Sequence, residues 1–122
     1  MIRRRFTTHS LLQEAAALKI ELANAPSIER YLHEYPDLLR IVSHTLRDSR
    51  GALPSAAMRL EIEGDPREIG GRTLVLRILQ QVDSALSESL QAWNDRIAQV
   101  LRYSDGWFHV SLDLRSGASL QA

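Results

Sequence analysis

Residues 60–78 read LEIEGDPREIGGRTLVLRI, and they mark a change of period in the chain. Met58, Leu60 and Ile62 alternate with Arg59, Glu61 and Glu63. Leu74, Leu76 and Ile78 then alternate with Thr73, Val75 and Arg77. A period of two sends successive side chains to opposite faces, so each run predicts a strand buried on one side only. Gly64, Asp65, Pro66, Gly70 and Gly71 lie between the runs and supply turn chemistry. The short connection predicts an antiparallel hairpin. Its outer face carries Glu61, Glu63 and Arg77 and is either the wet side of a sheet or a site.

Before the hairpin the period is helical. Ser10, with Gln13 three residues on, opens a helix in which Leu11, Ala15, Leu18 and Leu22 recur, and Asn24 and Pro26 close it. Ser27 caps a second helical segment with Ile28, Leu32 and Tyr35. Pro36 cannot sit inside a helix without losing a backbone hydrogen bond, so it starts a new one carrying Leu38, Leu39, Val42 and Leu46 as far as about Asp48. Beyond the hairpin, Asp83 or Ser84 caps a long helix with Leu86, Leu90, Trp93, Ile97, Val100 and Leu101 on one face. Asp105 and Gly106 stop it, and Phe108, Val110, Leu112 and Leu114 alternate through a last strand.

These elements predict an α+β fold in two layers, α-α-β-β-α-β, with helices covering one face of a three-stranded sheet. A right-handed crossover that skips one position places the first strand in the centre, in the order 2-1-3. The compact domain is drawn over residues 36–116, preceded by an N-terminal helical extension, 1–35, and followed by a polar tail, 117–122.

The composition sets limits. With 122 residues, 44% of them hydrophobic and 25% charged, the chain resembles an average globular domain and can bury a core unaided. It has no cysteine, which excludes disulfides, thiolate metal sites and cysteine nucleophiles. Fifteen basic residues balance fifteen acidic ones, so no global field draws it to nucleic acid or an anionic membrane. No apolar run is long enough to span a bilayer, and a cytoplasmic location is the expectation.

Motifs for catalysis are scarce. HEYPD, residues 33–37, falls short of the H-E-x-x-H zinc pattern because Asp37 replaces the second histidine and Pro36 breaks the helix. His33 and His44 are about three helical turns apart, and His9 and His109 have no close partner in sequence. GDPREIGG lacks the lysine of a phosphate-binding loop. No cofactor is expected. The one catalytic constellation is the open sheet face, where Glu61 and Glu63 stand on one side of a strand. If the last strand lies beside them, His109 and Asp113 join a carboxylate cluster able to hold Mg²⁺ or Mn²⁺ for phosphodiester hydrolysis. The alternative for that face is a solvated set of salt bridges to Arg59, Arg77 and Arg115.

Two binding readings complete the set. Arg3, Arg4 and Arg5 form an arm able to bind phosphates, although the sheet offers few aromatics for stacking bases. A protein partner, or a second copy of the chain, fits better: Leu11, Leu18 and Leu22 give the extension an apolar stripe of its own, and Arg59, Arg77 and Arg115 line the open sheet.

LEIEGDP (60–66), LVLRI (74–78), the helix with Trp93 and Asp95, and FHVSLDL (108–114) together cover about half the chain. In these pieces the chain resembles a group of small, uncharacterised bacterial and archaeal proteins with an acidic strand ending in Asp-Pro followed by a Leu-Val-Leu strand. It departs from them at Arg67, where an acid often follows, and in its longer N-terminal region. Such proteins look like the second members of two-gene modules, including toxin–antitoxin-like pairs. The resemblance implies a bacterial, non-catalytic interaction protein, antitoxin-like in its role, and brings no catalytic residues with it.

Overall fold

A computed structural model describes residues 7–64, 71–80 and 84–113. The order is α1 (Thr8–Ala17), β1 (Glu21–Leu22), α2 (Ala25–Glu34), a 3₁₀ turn (Pro36–Leu38), α3 (Leu39–Ala52), β2 (Ala57–Glu63), β3 (Thr73–Leu79), α4 (Ser84–Val100) and β4 (Phe108–Asp113). The fold is α+β with a mixed sheet of four strands in the order β1-β2-β3-β4. β2 and β3 pair antiparallel over seven rungs, from Ala57↔Leu79 to Glu63↔Thr73, as the alternating runs predict.

Two features of the sheet differ from expectation. β4 lies beside β3 and parallel to it, with Val75↔His109 and Leu76↔Val110 in register. The α4 crossover therefore skips no strand: β3, not β2, has β4 as its neighbour, and the expected order 2-1-3 is replaced. In addition, the short β1 pairs parallel with β2 at Arg59 and Leu60. The first helix is correspondingly shorter than its apolar stripe implied. It begins at Thr7, which forms a reciprocal capping box with Ser10, and ends at Ala17. Lys19 then takes a left-handed conformation, φ 59°, and turns the chain into β1.

Residues 7–35, the described part of the stretch drawn as an extension, share one core with the rest. Leu11, Ala15, Ile20, Ile28, Tyr31 and Leu32 are buried in the same cluster as Leu60, Leu76, Ile78, Ile97, Phe108 and Val110. Apolar residues of all four helices cover the sheet face carrying Met58, Leu60, Leu74, Leu76, Ile78, Phe108 and Val110. Burial of these side chains, each worth roughly 1.5–3 kcal/mol, dominates the stability.

Three polar side chains stitch backbone segments at the margins of this core. Arg50, near the end of α3, donates from Nε to the Leu18 carbonyl (2.8 Å) and from the terminal nitrogens to the carbonyls of Lys19 (3.2 Å), Leu53 (3.0 Å), Pro54 (3.3 Å) and Ala56 (2.7 Å). One guanidinium thus holds the end of α1 to the α3–β2 connection. The Tyr31 hydroxyl accepts from the Trp107 N–H (3.0 Å) and directs its proton at the carbonyls of Arg72 and Trp107 (3.2 Å each), locking together the entries to β3 and β4. Burial raises the Tyr31 hydroxyl above the ordinary tyrosine pKa, an effect opposed by the Trp107 backbone bond. Asn94, in the middle of α4, accepts from the Val110 N–H (2.8 Å) and donates to the Val110 carbonyl (2.9 Å). Its amide stands in for a further strand and satisfies part of the outer edge of β4.

Two glycines are required where they stand. Gly64 has φ +114° at the end of β2, and an added Cβ would overlap the Gly71 carbonyl. At Gly106 a Cβ would lie 2.6 Å from the Tyr35 ring, so only glycine lets the turn before β4 lie against it.

Candidate functional site

The outer face of the sheet is the first candidate. Alternation along β2, β3 and β4 places Arg59, Glu61, Glu63, Thr73, Val75, Arg77, His109 and Ser111 there. Arg59 and Arg77 are directly opposed across the antiparallel pair. Like charges in that position repel. Glu61 resolves the conflict: its Oε1 accepts from Arg59 Nε and from Arg77 Nε, each at 2.9 Å. Arg77 also pairs with Glu63 through its NH2 nitrogen. Both glutamates are therefore neutralised within the sheet, which is the salt-bridged alternative for this face.

The expected carboxylate cluster is not assembled. With β3 interposed, His109 shares a row with Glu61 but is separated from it by Val75, two strand spacings or about 10 Å. The backbone of Asp113 pairs with Leu79, on the far side of β3 from β2. No group of three or more His, Asp or Glu suited to a metal ion exists among the described residues. His109 is partly buried, and this, together with the Arg77 charge, holds its imidazole below the ordinary histidine pKa. Val75 beside it is fully buried.

The remaining expected residues fall as follows. Leu11 is fully buried, and Leu18 and Leu22 pack against the core, so the apolar stripe of the first helix faces the interior. His33 and His44 are exposed and lie on separate helices. Arg3, Arg4, Arg5 and Arg115 lie outside the described residues.

The second candidate, missed in the sequence, runs from the last turn of α4 to the start of β4. The large apolar side chains left exposed among the described residues are Val100 (55%), Tyr103 (90%) and Trp107 (41%). All three fall within eight residues of chain. Val100 belongs by spacing to the apolar stripe of α4, yet it lies in the last turn and lines a surface groove. The segment is held firmly. Besides its bonds to Tyr31, the Trp107 carbonyl accepts from Leu74 N (3.0 Å) and Thr73 Oγ1 (3.2 Å). The Arg102 guanidinium lies 5.4 Å from the centre of the Tyr103 ring.

The third candidate is that groove, about 510 Å³ in volume, lined by Glu14 of α1, Arg40, Ile41, Ser43, His44 and Arg47 of α3, and Val100 of α4. On its flank, Arg96 of α4 bridges His44 Nε2 (2.5 Å) and Asp48 (3.2 Å). Asp48 also lies 3.1 Å from His44 Nε2, so the three side chains form one cluster around the Asp48 carboxylate.

No family model, curated protein or solved structure matches the chain. None of the described helices is long and apolar enough to cross a membrane.

Proposed function

We propose that this chain is a non-catalytic protein-binding module and that the segment from Val100 to Trp107 is its docking surface. The observation that carries this reading is the concentration of exposed large apolar side chains on one short, backbone-anchored segment. Aromatic residues presented on a fixed backbone lose little entropy on binding and dominate interface energetics. The N-terminal leucines, by contrast, are engaged with the domain's own core. The partner is a separate polypeptide, and the resemblance to small members of two-gene modules points to the product of an adjacent gene, with an antitoxin-like regulatory role. Neutralisation of Glu61 and Glu63 by arginines weighs against a metal-dependent phosphodiesterase on the sheet face.

Co-expression with the neighbouring gene's product, followed by light scattering and calorimetry, tests the proposal. A stoichiometric complex is expected, weakened at least about tenfold by Trp107→Ala and by Tyr103→Ala, since truncating a central aromatic anchor costs about 2 kcal/mol or more. Failure to bind that product overturns the reading. So does Mn²⁺-dependent phosphodiester hydrolysis that disappears in Glu61→Gln.

A further inference from the structure

The groove between α1, α3 and α4 is chemically distinct from the docking segment. Arg40, Ser43, His44 and Arg47 are spaced three, four and seven residues from Arg40, so they form one stripe along two turns of α3. Val100 supplies exposed apolar surface, backed by the buried Ile41. The partners of the polar lining can be followed one by one. Glu14 accepts from the Ser43 hydroxyl and lies 3.7 Å from Arg47 Nε. His44 is taken by Arg96. Arg40 is exposed and has no hydrogen bond or ion pair among the described residues. Two guanidiniums thus face one carboxylate, and the excess positive charge stands beside apolar surface in a groove of small-ligand size.

We infer that this groove is a binding site for a small amphiphilic anion, a carboxylate joined to an apolar body. The carboxylate meets Arg40, where a planar guanidinium offers paired N–H donors. The apolar body lies along Ile41 and Val100. Arg47, held by Glu14 at a distance longer than a hydrogen bond, can turn toward the same anion. A simple inorganic anion would leave the apolar surface wet, and a neutral lipid would make no use of the Arg40 charge.

The test uses the full chain alone and decanoate as probe, with decanol and acetate as controls that carry only one half of the chemistry. Binding is followed by amide chemical shifts and by calorimetry. Decanoate is expected to bind in preference to both controls, to shift the amides of Arg40 to Arg47, and to lose at least about tenfold in affinity in Arg40→Gln, the scale of a charge-assisted hydrogen bond. Arg40→Gln should retain the melting temperature of the parent chain, since Arg40 is exposed. The inference is overturned if decanol binds as tightly as decanoate, if Arg40→Gln binds decanoate unchanged, or if no probe binds. Val100 belongs to both surfaces, but Arg40 lies outside the segment from Val100 to Trp107 and no partner protein is present, so the response of decanoate binding to Arg40→Gln is read separately from docking.

Discussion

The margins of the core and the outer face of the sheet use polar side chains in opposite ways. At the margins, Arg50, Tyr31 and Asn94 bind backbone groups on other segments, mostly through part-buried hydrogen bonds. On the outer face, Arg59, Glu61, Arg77 and Glu63 bind one another, in reach of water. A backbone group shielded from water and left unpaired costs its desolvation penalty, whereas a member of the half-buried charge ladder keeps other partners and some contact with water. Polar residues at the margins should therefore govern stability, and those on the face should tune it only slightly.

Arg50→Ala is the strongest way to break that comparison. It removes donors from five carbonyls at once and frees the end of α1 from the α3–β2 connection. A loss of about 2–4 kcal/mol is expected in urea unfolding. Arg50→Lys should recover little of it, because three donors on a point charge cannot reproduce a fork that spans two segments. If lysine restores full stability, charge near the helix ends, not carbonyl geometry, is what Arg50 provides.

Asn94→Ala comes next, at about 1–3 kcal/mol, since both the N–H and the carbonyl of Val110 lose their partner. It has a second consequence that no ion pair of the outer face shares. The outer edge of β4 becomes an unpaired template, so self-association by light scattering should rise together with the fall in stability. An unstable variant that stays monomeric would separate the two roles.

The three residues that stitch the margins share a sequence signal, and it explains much of what was legible. Met58 to Ile62, Leu74 to Ile78 and the α4 stripe stood out because uninterrupted apolar alternation reports burial directly. Arg50 continues the series Val42, Leu46 at a spacing of four, Asn94 lies between Leu90 and Ile97, and Tyr31 follows Ile28. Each is a polar group standing in an apolar stripe, which marks a side chain that must find a buried partner. What the spacing does not carry is the identity of that partner. For this reason the strand order was not legible: the position of β4 beside β3 depends on contacts such as those of Tyr31 with Arg72 and Trp107, far apart in sequence. β1 was invisible for a simpler reason, being two residues long and without a period. On the outer face, the spacing of two put Glu61 and Glu63 on one side of β2, but it could not show that β4 lies beyond β3, which keeps His109 two strand spacings from Glu61.

On that face the effects should be smaller. Glu61→Gln leaves Arg59 and Arg77 opposed with no carboxylate between them, and the expected loss is at most about 1 kcal/mol, diminishing in high salt. A loss as large as that of Arg50→Ala would show that the ladder is as well shielded as the core margin, and the comparison would fail.

His109 gives the finest test, through pH. Its imidazole is held below the ordinary value, first by burial and then by Arg77, so the folded chain keeps it neutral at pH values where the unfolded chain begins to bind a proton. The contribution to stability is fully present above the unfolded value of about 6.5 and is lost as pH falls from there toward the lower folded value. Across that window unfolding takes up as much as one proton, so stability of the parent chain should decline more steeply than that of His109→Gln. Replacing Arg77 by glutamine removes the second of the two causes but leaves the burial; the folded value rises toward the unfolded one, so the decline should begin at the same pH, end at a higher pH and be smaller, without being abolished. Were Arg77→Gln to flatten the profile as completely as His109→Gln, the charge ladder and not burial would set the titration of this face.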